Sequence, residues 1–444
     1  MPIASLVLAV SLSAATLSPI APQPLKTLTP GSARRSADVR VAEVRGESAP
    51  APRVTVGADR LFTEYAHLIR GKSLALVANH SARLADGTHL VDALARHPES
   101  KLTVLFGMEY DIRSNDYSAA RDGEVAIDRG TGLTKYNLYG EHHAPSPESL
   151  AGVDAIVFDI QEVGARFYEH VNILGFVMEV AAQQGIAVIV LDRPNPITGR
   201  TVEGFVTDTA ARFRFGSYAP IPVVHGMTMG ELAMLYNGER LLRGGRTAAL
   251  TVVPMTGWTR GMWYDETGLA WRKPSPNLLT LSSLLAYVGT CLFEAVNVSE
   301  GRGTDRPFEQ VGAPWLDHVR AVTVLQKLQL PGVRFEAVEF TPVQQPFHGR
   351  PPELAGERLR GVRLHVTDRD AYEPYRTGVA LLWAVYTLHP DRLTWNDAAL
   401  DRLVATPRLK ALLLAGKSPR EIADAWRGEV EAFLATRERY LIYR

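Results

Sequence analysis

Asp154-Ala-Ile-Val-Phe-Asp-Ile-Gln-Glu-Val-Gly-Ala-Arg-Phe-Tyr168 opens as a short apolar run, Ala155 to Phe158. It then crowds Asp159, Gln161, Glu162, Arg166 and Tyr168 into the next ten residues. A buried strand cannot hold that many polar groups, because each one left unpaired costs kilocalories. They must stand where the strand ends, with Gly164 allowing a tight turn into a helix that begins at Phe167. Open α/β sheets bind their ligands at such carboxyl ends of parallel strands.

The pattern recurs outward from that stretch. Apolar runs at Leu74–Val77, Leu102–Phe106, Ala187–Leu191, Ile221–Val224 and Leu250–Val253 read as further buried strands. Helical spacing marks Ala58–Ile69, Phe167–Gln184 and Met229–Leu242. Strands alternating with helices predict a parallel sheet covered on both faces. Thr228 with Glu231 makes a capping box for one helix start, and Gly185 supplies a left-handed stop for another. Composition changes near Pro274-Ser-Pro-Asn277: a loop-rich region reaches Trp315, then strands are expected at Val333–Phe340 and Gly361–Val366. Helices are expected at Tyr375–Leu388 and Ile422–Tyr440. The fold class is therefore α/β over residues 53–275, followed by a smaller α+β domain over 276–444.

With 48 basic against 48 acidic residues in 444, the chain carries no formal net charge, so no nucleic-acid partner is implied. The lone Cys291, in an apolar context, excludes an intrachain disulfide and reads as a buried thiol. Ile3–Leu12 followed by Ser13-Ala14-Ala15 reads as an export signal over about residues 1–20, which places the protein in the periplasm or outside the cell. Residues 21–52, rich in Pro, Ser and Ala, read as a linker. No apolar run is long enough for a membrane span.

Five of the six strand runs of the first domain are followed by polar residues: Asn79-His80-Ser81, then Glu109, then Asp159 and its neighbours, then Asp192-Arg193-Pro-Asn195, then His225. Five such clusters on one sheet edge make a shared cleft, although each residue singly is a good turn former. Glu109 stands out, because Phe106 and Met108 offer an apolar wall that raises a carboxyl pKa, as a general acid requires. The plainer reading is an ion pair between Glu109 and Arg113. In Glu300-Gly-Arg-Gly-Thr304, Arg302 between two glycines is placed to clamp a carboxylate, or else to brace the loop. No dinucleotide fingerprint, phosphate loop or nucleophile elbow is present, and no cofactor is expected. Adjacent His142 and His143 after Glu141 point to opposite sides of an extended chain, so no metal is expected there. Trp258, Trp263, Trp271 and Trp315 favour core packing and, more weakly, a saccharide.

Together these segments resemble the exo-β-N-acetylmuramidase (NamZ) family of bacterial cell-wall glycosidases. The resemblance rests on Leu76-Val-Ala-Asn-His80, Leu105-Phe-Gly-Met-Glu109, Phe158-Asp-Ile-Gln-Glu-Val-Gly-Ala-Arg-Phe-Tyr168 and Leu191-Asp-Arg-Pro-Asn-Pro-Ile197. It continues through Pro220–Leu232, Met255-Thr-Gly-Trp258, Pro274-Ser-Pro-Asn277, Ser299–Thr304, Pro307-Phe-Glu309 and Gly312-Ala-Pro-Trp315. It implies a Rossmann-like catalytic domain, a smaller C-terminal domain, and release of N-acetylmuramic acid from the non-reducing end of peptidoglycan fragments. The family's catalytic acid falls on Glu109. Met108, Tyr110 and Asp111 replace the Pro, His and Gly of the usual motif, and Glu162 stands where Asp is commoner.

Glycosidases usually work with two carboxyl groups. Candidates beside Glu109 are Asp159, Glu162 and Glu300, or else the substrate's own acetamido group attacks. Arg166 or Arg302 would recognise the lactyl carboxylate of muramic acid. Asn79, His80, Tyr168 and Asn277 would contact sugar hydroxyls, with Asp192, Arg193 and His225 in the same cleft. The competing expectations are a muropeptide-binding homologue that has lost catalysis, suggested by the altered loop, and a cell-wall amidase.

Overall fold

The computed structural model describes residues 54–114, 125–140, 142–344 and 351–444. The expected export signal, the whole of the linker, Glu141 and most of the loop after Arg113 lie outside the described residues.

Seven strands form the first sheet: β1 (Ser73–Ala78), β2 (Lys101–Gly107), β3 (Val125–Ile127), β4 (Thr134–Asn137), β5 (Ala155–Asp159), β6 (Ala187–Leu191) and β7 (Leu250–Val253). Their order is β3-β4-β2-β1-β5-β6-β7. All neighbours are parallel except the edge pair β3 and β4. The parallel order reverses between β1 and β5, which pair from Leu74↔Ala155 to Ala78↔Asp159.

Side chains alternate across each strand, so a run buried on both sides feeds two cores. Ala75, Val77, Phe106, Ile156, Phe158, Val188 and Val190 face α3 (Glu169–Gln184) and α4 (Met229–Gly238). Leu74, Leu76, Leu105, Ala155, Val157, Ile189 and Leu191 face α1 (Gly57–Leu61) and α2 (Leu90–Arg96). The continuous apolar runs in the sequence are therefore the signature of a doubly wound sheet. Thr228 and Glu231 do form the capping box of α4, and Gly185 ends α3 at φ 70°. Gly164 turns at φ 85°, and a Cβ there would meet Ile197 at 2.4 Å.

Two expected elements are not there as such. Ile221–Val224 is not a strand: Val224 makes only isolated bridges to Ala165 and Glu203, because Pro220 and Pro222 remove the ladder donors. Ala58–Ile69 breaks into α1 and a 3-10 turn at Ala66–Leu68.

The smaller part is built on an antiparallel sheet in the order β8 (Gln310–Ala313), β10 (Leu359–Val366), β9 (Val333–Phe340). Around it lie α5 (Leu281–Thr290), α6 (His318–Lys327), α7 (Pro374–Leu388), α8 (Asp397–Val404), α9 (Arg408–Leu414) and α10 (Pro419–Arg437). Its apolar core is continuous with Val163, Ala165, Phe167 and Tyr168 of the first part. The chain end returns to the first sheet, where the Tyr443 hydroxyl donates to Asp192 Oδ2 at 2.7 Å.

Candidate active site

Between the two parts lies a cavity of about 270 Å3. Glu109 reaches it just past the end of β2, half-buried, with Met108 packed into the core behind it. Arg113, the sequence's competing partner for Glu109, instead pairs with Asp128 at 2.7 Å and Asp92 at 2.9 Å. Asp111 pairs with Lys135. Glu109 is thus left facing the cavity, with Tyr110 and Arg302 acting on it. Burial pushes its carboxyl up to about 7, against the hydrogen bond with Tyr110 and the charge of Arg302.

A second carboxyl group lines the same space. Glu169 opens α3, and its Oε1 accepts the Glu109 backbone N–H at 3.2 Å. A helix start favours a carboxylate, yet here burial first and then the charge of Glu109 hold the side chain well above the usual carboxylate range. Two acids in one part-dry space cannot both ionise cheaply. Glu169 is missing from the residues the sequence singles out, although it directly follows Tyr168; an acid in a first helical turn is too common to attract notice.

The walls are aromatic. Tyr168, Tyr287 and Phe308 meet edge to face at 6.0 and 4.8 Å, and Phe167 meets Tyr287 at 5.6 Å. Tyr110 donates to Ser275 Oγ at 3.1 Å and Tyr168 to the Pro274 carbonyl at 3.0 Å, which ties the Pro274–Asn277 loop to the acid's strand. Asn277 lines the cavity beside them. The four tryptophans do not: Trp258 packs on Tyr443, Trp315 on His389, and Trp263 and Trp271 donate to Asp370 and the Leu279 carbonyl. Cys291 lines the cavity, but burial holds its thiol neutral.

Arg302 is also in the wall, over the Phe308 ring at 4.9 Å. Both arms of its fork are taken, by Glu294 at 2.6 Å and Glu300 at 2.5 Å. Arg402, at the end of α8, is the other guanidinium of the wall, and its nearest acid contact is Glu294 at 3.9 Å.

Most of the other expected site residues lie outside this cavity, held by ion pairs or by bonds to backbone groups. Asp159 holds Arg193 in a two-point pair at 2.5 and 2.8 Å. Glu162 is buried, accepting from the Gly164 N–H and lying 3.6 Å from His225, whose imidazole burial pulls down to about 3. Asp192 accepts from Thr228, Gly230 and Tyr443. Asn79 accepts from Ser81 and contacts His170 at 3.4 Å. His80 bonds the Lys273 carbonyl at 2.8 Å. Arg166 is fully buried and donates to the carbonyls of Gly216, Leu403 and Val404 at 2.7, 3.2 and 3.0 Å. Glu300 is a brace for Arg302. Among the described residues, no three His, Cys, Asp or Glu side chains are grouped to hold a metal ion.

A doubly wound sheet whose strand-end acid is paired with a second carboxyl group in a half-enclosed cavity defines an α/β enzyme of acid–base type. The chain belongs to the exo-beta-N-acetylmuramidase NamZ family: residues 74–282 match the family's N-terminal model and residues 285–443 its C-terminal model. It is 38% identical over 400 residues to the peptidoglycan beta-N-acetylmuramidase NamZ of Bacillus subtilis strain 168, covering 90% of this chain and 94% of that protein. Crystal structures of two DUF1343 family proteins from Bacteroides fragilis are similar over most of the chain. One has TM-score 0.81 at 29% identity, covering 89% of this chain and all of the other; the second has 0.71 at 31%, covering 88% and 99%.

Proposed function

We propose that the protein is an exo-acting glycoside hydrolase that releases N-acetylmuramic acid from the non-reducing end of peptidoglycan fragments, with Glu109 as proton donor. The observation that carries this is that two carboxyl groups, Glu109 and Glu169, line one cavity, where burial raises the pKa of each. Glu109 gives its proton to the bridging oxygen as the bond to the anomeric carbon breaks. Water supplies the hydroxyl that the sugar gains and the proton that restores the acid. Glu169 is our choice for the second carboxyl group, in place of Asp159, Glu162 and Glu300, because it shares the cavity with Glu109. Arg402 is our choice for the lactyl carboxylate, since Arg166 spends its fork on carbonyls and Arg302 on two glutamates. Export through the apolar Ile3–Leu12 stretch would carry the enzyme to its substrate.

The test is incubation with a β-linked N-acetylmuramic acid–N-acetylglucosamine disaccharide and with a muropeptide, the products being read by mass spectrometry. Free N-acetylmuramic acid is expected. Binding without product over hours favours a non-catalytic homologue, and free peptide favours an amidase.

A further inference from the structure

A second cavity, of about 180 Å3, opens where the parallel strand order reverses, past the carboxyl ends of β1 and β5. Open α/β sheets bind ligands at this reversal, yet the acid cavity lies elsewhere and shares no lining residue with this one. Ser81, Arg83, Gln161, Arg193, Tyr264 and Arg272 are in its wall. Three guanidinium groups therefore converge on one small space.

Their charges are unevenly met. Arg193 is neutralised by Asp159, and Asp59 adds a weaker attraction. Arg83 spends Nε and Nη1 on the neutral carbonyls of His80 and Gly87, at 3.3 and 2.9 Å. Arg272 has no hydrogen-bond or ion-pair partner among the described residues. Burial first, and then the positive charges of Arg83 and Arg193, pull its pKa down. Holding like charges together in a crevice is unfavourable, and an anion placed among them reverses that term. Planar guanidinium forks match carboxylate and phosphate oxygens.

We propose that this cavity binds a small oxyanion, a carboxylate or phosphate group, held by Arg272 and Arg83 against the Arg193–Asp159 pair. Its volume is below the range of roughly 300–1,000 Å3 typical of drug-sized ligands, so the anion enters alone or as the charged end of something larger. Arg272 lines this cavity and Ser275 the acid cavity, three residues along, so their backbones are at most about 11 Å apart. The anion is thus either free in solution or a carboxylate on the leaving side of the same substrate; the second source rests on the glycosidase reading.

Calorimetric titration of the full chain with inorganic phosphate at low ionic strength, beside KM measurements on two substrates, separates these. Wild type is expected to bind one phosphate per chain, R272Q at least ten-fold more weakly, and R272K in between. If the substrate supplies the anion, R272Q also raises KM ten-fold for a longer peptidoglycan fragment and leaves it unchanged for a chromogenic N-acetylmuraminide. If the anion is free, phosphate binding falls with neither KM altered. Phosphate binding in R272Q equal to wild type, or none in wild type together with unaltered KM for both substrates, overturns the proposal. The titration needs no turnover, so this site and the glycosidase reading fail separately.

Discussion

Replacing Glu109 by Gln removes an ionisable proton from the cavity while keeping the side chain's size, and two consequences of opposite sign follow. General acid catalysis contributes about 10²–10⁴-fold, which at 1.36 kcal/mol per decade is roughly 3–5 kcal/mol of the barrier. E109Q should lose that factor in kcat/KM on the disaccharide at pH 6, where a group titrating at about 7 is mostly protonated. The loss should be smaller on an aryl muraminide, whose phenolate leaves with little help. Stability moves the other way. A carboxyl raised from 4.5 to about 7 binds its proton more tightly in the folded state. The folded protein therefore loses stability as pH rises from about 4.5 to about 7, by at most roughly 3 kcal/mol and less where cavity water solvates the charge. Glutamine carries no such charge. Denaturant unfolding should find E109Q equal to wild type near pH 4 and more stable at pH 8. Equal activity on the disaccharide, or a stability difference that does not change with pH, would refute the reasoning.

Other substitutions separate recognition from scaffolding. R402Q should lower kcat/KM for an N-acetylmuraminide by about 10–100-fold, the worth of one charge-assisted hydrogen bond of roughly 1.5–3 kcal/mol, and leave the corresponding N-acetylglucosaminide unaffected; steady-state kinetics on the two decides it. R166M strips donors from three buried carbonyls, so denaturation should show a loss of about 2–4 kcal/mol. The preference between the two sugars should remain. R193M leaves Asp159 buried and uncompensated, which should cost about 3–5 kcal/mol in a urea melt.

The sequence made β1, β2, β5 and β6 plain because they sit inside a covered sheet, where a short unbroken apolar run between turn residues suits a strand buried on both faces; β7, at the far edge, was legible because its run is apolar too. It concealed β3 and β4, which are short and at the sheet edge: Val125 and Ile127 are 59% exposed, and Thr134–Asn137 reads as polar loop. Ile221–Val224 misled in the opposite sense, since apolar content outweighed the two prolines that forbid a ladder. For the site, the place of Glu109 just past a strand end was legible, while Phe106 and Met108 pack into the core and do not line the cavity. The clusters at Asn79, Asp159, Asp192 and His225 read as one cleft, because a linear sequence does not show which polar groups end up paired with one another. Folded, Asp159 meets Arg193 and Asp192 meets Tyr443, partners 34 and 251 residues away. Glu294 and Arg402, from the second part, had no local signal at all.

The measurement closest to the main claim is a direct titration of the glutamate carboxyl carbons by NMR in protein labelled at that position, for wild type and E109Q. One carboxyl should titrate near pH 7 in wild type, and that step should vanish in E109Q, while the signal of Glu169 moves because its neighbour's charge is gone. If every cavity carboxyl titrates below pH 5, the proton assigned to Glu109 is absent at working pH and the acid mechanism is contradicted.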